Sequence, residues 1–248
     1  MKSAFYTGTS GIVLPYKNKS FYPASLHDKS RLGVYSVLCN SLEVNSSFYK
    51  IPQARTVARW CTEVAGDFRF TFKLWKGITH LKNLDFNPAD VHLFMQIVRE
   101  AAEKRGCLLI QFPPSMSFSS FHQLEKLLNT LRQSDPEYVW PLCVEFRHSS
   151  WHRCETIQLL RNHGAFMVLH DKGATGIRLE QAWGDIVYLR LHGPDGDYRG
   201  SYDEATLAEY ASYVNDWLSN GKEVYVYFNN TIGDALNNLS VLKSYILS

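Results

Sequence analysis

The segment 142–148, Leu-Cys-Val-Glu-Phe-Arg-His, carries a carboxylate and a guanidinium two residues apart. Alternate side chains of a strand share a face, so Cys143, Glu145 and Arg147 point one way. Apolar residues on both faces predict a strand that is buried on both sides, as in a parallel sheet. A buried charge is costly unless it is paired or solvated. The segment therefore indicates either a structural ion pair or a strand that opens into a cleft.

Other predicted strands end in polar residues in the same way. The carboxyl ends of parallel strands meet at one edge, where α/β proteins build their active sites. We therefore predict a functional site at this edge, and the alternative is a network of structural salt bridges. The polar residues at the strand ends are Glu43, Asn45, Lys73, Gln111, Glu145, Arg147, His170, Asp171, Arg190, His192, Asn229 and Asn230.

Four of these residues are candidate catalytic groups. Glu43 and Glu145 could serve as general acid and base if their surroundings separate their pKa values. They come from the second and fifth predicted strands, about opposite sides of the ring, so the sequence does not assure direct contact between them. Lys73 and His192 are candidate proton donors or electrostatic stabilisers.

The cationic residues predict an anionic ligand. Lys73, Arg147 and Arg190 would give this edge a net positive charge, which suits a phosphate, a carboxylate or a nucleic-acid backbone. Gly233, before the last predicted helix, suggests a second anion contact. The predicted substrate-binding residues are Asn45, Thr79, His80, Gln111, Arg147, Arg190, Asn229 and Asn230.

A divalent metal is an alternative that the sequence does not favour. His170, Asp171 and His192, with the two glutamates, are acceptable metal ligands. No His-Glu-x-x-His or similar spacing occurs, and three nearby cations would oppose a divalent ion. For either histidine alone, a structural role is the simpler interpretation. We predict no cofactor.

Aromatic residues are expected near the same edge. Bases or sugar rings could stack on them, although loops over such an edge also need apolar packing of their own. These residues are Phe48, Tyr49, Trp75, Phe112, Trp151 and Tyr198.

Eight short predicted strands alternate with helical patterns. This alternation predicts a parallel sheet with helical crossovers, and eight such units fit a closed (β/α)8, or TIM-type, barrel. We predict one domain over residues 1–248, with an open doubly wound sheet as the alternative. The predicted strands are Ala4–Thr7, Ser41–Ser47, Phe68–Trp75, Cys107–Phe112, 142–148, Ala165–Leu169, Ile186–His192 and Glu223–Phe228. The predicted helices are Leu26–Cys39, one with Pro52 in its first turn, one from Pro88 to about 104, Ser120–Arg132, Arg153–Asn162, one opened by a Ser201/Glu204 capping box, and Ala235–Tyr245.

Composition limits the class of protein. The chain is 45% hydrophobic, which argues against disorder, and its net charge of +2 is too small to indicate a nucleic-acid or membrane surface by itself. The chain has five cysteines, which is an odd number, and no Cys-x-x-Cys motif occurs. This pattern favours a reducing cytosol. Neither a signal peptide nor an apolar run long enough to span a bilayer is evident, so no membrane partner is expected. The oligomeric state is not specified.

Several motifs together resemble the DUF72, or YecE-like, family of (β/α)8-barrel proteins of uncharacterised function. The resemblance implies the barrel and a polar mouth at the carboxyl ends of its strands. It departs at Ile12, where the family usually has Trp, and at Asn237-Asn238-Leu239, where Asn is usually followed by a small residue. The matching motifs are Gly8-Thr9-Ser10-Gly11, Phe21-Tyr22-Pro23, 43–49, Phe70 to Lys73 with Thr79-His80, 111–114, 144–148 with Trp151, 188–193 and 227–230.

Two functional hypotheses follow, with a scaffold role as a third. The first is an enzyme of the hydrolase or lyase kind that acts on a small anionic substrate, a class that includes phosphorylated compounds, with Glu145 or Glu43 as general base. The second is a module that binds or processes a nucleic-acid end or loop through the same cations and aromatic residues.

Overall fold

The computed structural model describes residues 4–172, 179 and 182–246. In this part of the chain, parallel strands alternate with helices, as the sequence predicts. The strands are β1 (Ala4–Thr9), β2 (Ser41–Val44), β3 (Arg69–Lys73), β4 (Arg105–Gln111), β5 (Leu142–Glu145), β6 (Ala165–Met167), β7 (Leu169–His170), β8 (Ile186–Leu191) and β9 (Glu223–Phe228).

The strands form two parallel sheets of four and five strands. Their orders are β1-β9-β8-β7 and β2-β3-β4-β5-β6. A single parallel bridge, Ser10 to Glu43, joins β1 to β2. On the other side only Val168 separates β6 from β7, and its N–H donates to the Val144 carbonyl at 2.9 Å. The parallel α/β fold is therefore confirmed, whereas the sixth predicted strand is divided and the ladder is not one continuous ring.

Successive side chains of each strand point to opposite sides, so the strands contribute to two separate apolar clusters. One side of each strand packs against helices, and Phe70, Phe72 and Val144 lie there. The other side faces across the two sheets and holds Cys107, Leu109, Cys143, Val168, Tyr188, Tyr225 and Tyr227. Cys143 and Val144 lie in different clusters, as the two-faced pattern of segment 142–148 predicts.

Helices follow most strands and pack against the cluster that contains Phe70, Phe72 and Val144, which we call the outer core. They are α1 (Arg31–Leu38), α2 (Ser46–Tyr49), α3 (Ala54–Thr62), α4 (Lys76–Thr79), α5 (Pro88–Val98), α6 (Phe121–Ser134), α7 (Cys154–Asn162), α8 (Glu204–Ser219) and α9 (Ala235–Ser244). The predicted start of α5 is confirmed, because the Asn87 side chain accepts a hydrogen bond from the Ala89 N–H at 3.0 Å and Pro88 opens the helix.

The predicted capping box at Ser201 and Glu204 is wrong. The cap of α8 is Asp203, whose carboxylate accepts a hydrogen bond from the Thr206 N–H at 2.7 Å. Glu204 is already the first helical residue, so it cannot complete a box with Ser201.

Two helices begin later than predicted. The first begins at Arg31 rather than Leu26, because the Ser30 side chain supplies the N-cap. The third begins at Ala54, so Pro52 precedes its cap instead of lying in its first turn.

Two strands end three residues before their predicted ends, and this shortening shapes the site. The strand predicted to reach Ser47 ends at Val44, because Asn45 adopts helical backbone angles and α2 follows at once. The strand predicted to reach His148 ends at Glu145. β2 thus passes directly into α2, whereas β5 passes into the loop that holds Arg147.

The connection from α5 to β4 also differs from the prediction. The α-helix ends at Val98, and the 3₁₀ segment after it contains Ala102 at a positive φ of 47°. This turn lets β4 begin at Arg105, two residues earlier than predicted. No helix among residues 4–172, 179 and 182–246 is long and apolar enough to cross a membrane.

Candidate functional site

Arg190, near the end of β8, joins the two sheets at their carboxyl ends. Its Nε and Nη2 donate to the two carboxylate oxygens of Glu43 at 2.9 and 2.8 Å. Its Nη1 donates to Glu145 Oε2 at 3.1 Å. The side chain is almost fully buried. Glu43 and Glu145, predicted to lie on opposite sides, are therefore both bound by one guanidinium.

Glu43 has partners on both of its oxygens. Besides Arg190, Ser10 Oγ donates to Oε1 and the Tyr188 hydroxyl donates to Oε2, each at 2.6 Å. Burial raises the pKa of this carboxyl, but the charge and hydrogen bonds of Arg190 outweigh burial and hold the pKa below its usual value. Glu43 is thus a buried, ionised and fully hydrogen-bonded carboxylate.

Glu145, at the end of β5, is held in a similar way. Arg147 Nε donates to its Oε1 and Arg190 to its Oε2, so the predicted pairing of Glu145 with Arg147 is observed. Burial opposes ionisation, but Arg190 and Arg147 together hold the pKa of Glu145 well below its usual value. Its side chain has no exposed surface.

His192 links the two arginines to Asp171. Its Nε2 lies 2.8 Å from Arg147 Nη2 and 3.1 Å from Arg190 Nη1, and guanidinium groups only donate. Nε2 is therefore an acceptor, and Nδ1 carries the proton that Asp171 Oδ1 accepts at 3.0 Å. Burial, with the nearby arginines, lowers the pKa of His192 to about 4. The ring is therefore neutral and buried, and both of its nitrogens form hydrogen bonds that hold Arg147, Arg190 and Asp171 in position.

Lys73, the last residue of β3, is in a different situation from these paired charges. Its side chain is 8% exposed, and Nζ lies 4.2 Å from the centroid of the Phe48 ring. In the described part of the chain, no atom accepts a hydrogen bond from Nζ and no carboxylate oxygen lies within 4 Å of it. Burial and the Arg190 charge lower the pKa of Lys73 to about 8, against the opposing effect of Glu43 and Glu145.

A cavity of about 290 Å³ opens above Lys73. Asn45, Gln111 and Asn229 line it, and the side chains of Asn45 and Asn229 have no hydrogen bond to any described residue. Gln111 Nε2 donates to the Phe112 carbonyl at 2.6 Å, which leaves its amide oxygen for a ligand. The remaining lining residues are Phe48, Tyr49, Arg190, Tyr198, Thr231 and Ile232.

The outer rim of this cavity is apolar. Tyr49 and Ile232 are 67% and 66% exposed, and Tyr198 stands beside them. The prediction that aromatic residues gather at this edge is correct for Phe48, Tyr49 and Tyr198. Phe112 and Trp151 instead stack with Phe146 in the outer core.

Comparison with protein families agrees with the geometry. A family model described as "Protein of unknown function DUF72" matches residues 6–246 of the chain. The chain belongs to this family. The resemblance inferred from the motifs is therefore confirmed, and the DUF72 match includes every residue of the network and of the cavity.

Known DUF72 relatives match nearly the whole chain. The curated UPF0759 protein YunF of Bacillus subtilis is 25% identical, with 88% of this chain and 87% of that relative covered. A DUF72 family protein from Thermotoga maritima, known from a crystal structure, is 27% identical in sequence and aligns with a TM-score of 0.74. The alignment covers 97% of this chain and 98% of that chain. A DUF72 family protein of Enterococcus faecalis, 19% identical, aligns with a TM-score of 0.77 over 98% of this chain and 96% of that chain.

Four predicted binding residues of the DUF72 site lie away from the cavity or are already occupied. Asn230 is buried, and its amide donates to Gly200 and Asn238 at 3.0 and 2.8 Å. Arg147 is bound to Glu145 and His192. Thr79 and His80 bond each other at 2.9 Å, and the His80 ring packs edge-on against Phe48.

The suggested anion contact at Gly233 is wrong. Its N–H donates to the Asn230 carbonyl at 2.9 Å, so it has no hydrogen to offer an anion. A Cβ at Gly233 would meet the Gly200 carbonyl oxygen at 2.1 Å. This glycine therefore allows two loops of the mouth to approach each other closely.

Metal ligation finds no support in the described residues. No group of three or more His, Cys, Asp or Glu side chains there is arranged to hold an ion. Of the suggested ligands, Glu43 and Glu145 are bound by arginines, and His170 Nε2 bonds the Phe146 carbonyl at 3.0 Å.

Sequence reasoning missed several partners of the network and lining residues of the cavity. Tyr188 and Ser10 hold Glu43, and Tyr202 donates to Asp171. Tyr188 could have been found, because it precedes Arg190 by two residues in one strand and so shares its face. Ser10, Thr231 and Ile232 carry no such periodic signal, because they lie outside the named strands and helices.

Proposed function

We propose that this DUF72 protein is an enzyme that binds a small anionic substrate in the mouth cavity and uses Lys73 as its reactive group. The reaction is of the hydrolase or lyase kind. Asn45, Gln111 and Asn229 bind the polar groups of the substrate, and Phe48, Tyr49 and Tyr198 pack against its less polar part.

The observation that carries this proposal is the state of Lys73. A buried ammonium group is normally paired with an acceptor, and an unpaired one at a cavity is a common feature of functional sites. With a pKa of about 8, Lys73 exchanges protons readily near neutral pH, as a general acid or base must.

Charge balance supports an anionic substrate. Glu43 and Glu145 pair with Arg190 and Arg147, and Asp171 bonds the neutral His192, so among these groups Lys73 is the charge at the cavity that has no ion-pair partner in the described residues. A carboxylate or phosphate on the substrate would supply the acceptor that Nζ lacks.

Glu43 and Glu145 take a supporting role in this proposal, in place of the general-base role expected from their residue type. Both are buried, ionised and bound on both oxygens by other side chains. A general base must come within hydrogen-bond reach of the proton that it removes. The two carboxylates instead fix Arg190 and stabilise positive charge at Lys73.

The same pairing weakens the nucleic-acid hypothesis. That hypothesis requires Arg147 and Arg190 to contact phosphates. Arg190 is fully engaged by Glu43, Glu145 and His192. Arg190 is therefore already used within the protein, and Arg147 keeps only Nη1 without a hydrogen-bond partner among the described residues.

We further propose that the two sheets belong to one closed (β/α)8 barrel that forms a single domain. The Ser10–Glu43 bridge, the short gap at Val168 and the meeting of Arg190 with both glutamates support closure. The five cysteines carry free thiols, which supports function in a reducing cytosol.

A thermal-shift screen tests the proposed function. The panel contains small carboxylates, phosphorylated metabolites, sugars and short oligonucleotides. A small anion at about a hundred times its Kd should add roughly 2.7 kcal/mol of stability. Lys73→Met should abolish this shift, and Lys243→Met, at an exposed lysine of α9, should preserve it.

The outcome is decisive in both directions. An equal shift in the wild type and in Lys73→Met would show that Lys73 does not bind the ligand and would overturn the proposal. A shift that occurs only with oligonucleotides and disappears at moderate salt would support the nucleic-acid hypothesis instead.

A further inference from the structure

We propose that Lys73 forms an imine with the aldehyde or ketone group of a small substrate that also carries a carboxylate or a phosphate. This inference rests on the proposed function and names its substrate class and its covalent intermediate. The geometry around Nζ, the charges beside it and the amides facing it each contribute to the inference.

The first contribution is that Nζ is free to react. The described residues offer Nζ no hydrogen-bond acceptor, and its neighbour at 4.2 Å is the face of the Phe48 ring. Lys73 is also one of the residues that line the cavity. A lone pair on the neutral amine would therefore face the cavity and not a protein donor.

The second contribution is that the amine is available near neutral pH. An ordinary lysine is almost entirely protonated at pH 7, whereas burial and the Arg190 charge bring the pKa of Lys73 to about 8. Burial and an adjacent cation are the two devices that activate lysine nucleophiles. Lys73 has both.

The third contribution is electrostatic compensation for the product. The neutral Nζ attacks the carbonyl carbon, the carbonyl oxygen takes a proton, and the carbinolamine loses water to give an iminium ion. Overall, one ammonium and one carbonyl compound give one iminium and one water, so no oxidant or reductant is needed. The positive charge stays at Nζ, where Glu43 and Glu145 already stabilise it.

The lining residues define the rest of the substrate. Asn45 and Asn229 have unengaged side chains, and Gln111 offers a free amide oxygen. These groups suit hydroxyl, carboxylate or phosphate oxygens beside the reacting carbonyl. The cavity, at about 290 Å³, limits the substrate to a small metabolite.

Reductive trapping tests the imine. The full-length protein is incubated separately with pyruvate, glyoxylate and dihydroxyacetone phosphate in the presence of sodium cyanoborohydride. Intact mass and peptide mapping then locate the secondary amine. We expect at least one probe to modify Lys73 at least tenfold faster than the exposed Lys243, and Lys73→Arg to abolish that adduct.

The pH dependence of trapping provides a second measurement. Attack needs the neutral amine, so between pH 6.5 and 9 the rate at Lys73 should be half-maximal near pH 8 and should level off above it. The rate at Lys243 should still be rising at pH 9, because an exposed lysine has a pKa near 10.4. Adducts spread over exposed lysines with no preference for Lys73 would overturn the imine.

The thermal-shift and trapping experiments together distinguish failure of the imine proposal from failure of the proposed function. A ligand shift that Lys73→Met abolishes, with no trapped adduct for any of the three probes, overturns the imine and leaves Lys73 as an acid–base and binding group. The absence of both a ligand shift and an adduct overturns both proposals.

Discussion

Arg190 and Glu43 form a two-pronged ion pair, with Nε and Nη2 of the arginine 2.9 and 2.8 Å from the two carboxylate oxygens. The pair connects β8 to β2 and therefore connects the two sheets. Parallel hydrogen bonds of this kind fix orientation as well as charge. The same guanidinium reaches Glu145, so one residue sets the positions of both carboxylates below the cavity.

Removing the charge of Glu43 while Arg190 stays buried should strongly destabilise the fold. Glu43→Gln leaves Arg190 buried with only part of its charge compensated, and such changes cost about 3–5 kcal/mol. Equilibrium denaturation in urea should show a fall of about 3 kcal/mol or more in the free energy of unfolding. The exposed Glu103→Gln is the matched control and should change it by less than about 0.5 kcal/mol. A small effect of Glu43→Gln would mean that the pair is not needed to hold the sheets together.

His192 should make stability depend on pH between about 4 and 6.5. Its pKa is about 4 in the folded protein and near 6.5 in the unfolded chain, so the unfolded state binds more protons in this window. The free energy of unfolding should therefore rise with pH by up to about 1.4 kcal/mol per pH unit. His192→Gln, which keeps an acceptor for the arginines, should reduce this slope, and the part that remains comes from other histidines such as His80, whose pKa is also lowered to about 4. His122→Gln, at an exposed ring, should not reduce it, and equal slopes in the two variants would contradict the assignment.

Much of this architecture could be predicted because it follows from periodicity. The alternation of strands and helices gave the α/β class, and the two-residue repeat correctly placed Glu145 with Arg147 on the inner face. The end positions of Glu43, Lys73 and Arg190 likewise followed from the strands that carry them. Local patterns are sufficient for such inferences because each depends on one element.

The pairing of these groups could not be predicted. Glu43 and Arg190 are 147 residues apart, and no local pattern shows that Arg190 would bind both glutamates and leave Lys73 with no ion-pair partner among the described residues. The same limit explains Asn230, which looked like a ligand-binding residue but donates a hydrogen bond to Asn238 of α9. Which polar residues remain free depends on tertiary geometry.

The apolar rim should contribute to ligand binding and not to folding. Tyr49 lines the cavity and is 67% exposed, so Tyr49→Ala removes contact area for a ligand and little buried surface. For any ligand found in the thermal-shift screen, affinity should fall about 5–20-fold by calorimetric titration, which corresponds to roughly 1–2 kcal/mol. Phe21→Ala, at a 60% exposed aromatic residue away from the cavity lining, should leave affinity unchanged. Equal affinities in the two variants would exclude the rim from the binding site.

Replacing Lys73 with an apolar residue should raise the free energy of unfolding. Burial lowers its pKa from 10.5 to about 8, so the protonated side chain is stabilised less in the folded protein than in the unfolded chain. Lys73→Met keeps the length of the side chain and removes the buried charge. It should raise the free energy of unfolding at pH 7 by about 1–3 kcal/mol while abolishing ligand binding.

The sign of the pH dependence separates this effect from simple repacking around Lys73. Between pH 8 and 10.5 the unfolded chain binds more protons at Lys73 than the folded protein does, so the wild type gains stability relative to Lys73→Met as the pH rises. The advantage of the variant should therefore be complete below pH 8 and should shrink towards pH 10.5. Lys243→Met should show neither the gain nor the pH dependence. A gain in Lys73→Met that is constant from pH 7 to 10 would mean that better packing, and not removal of a buried charge, stabilises the variant.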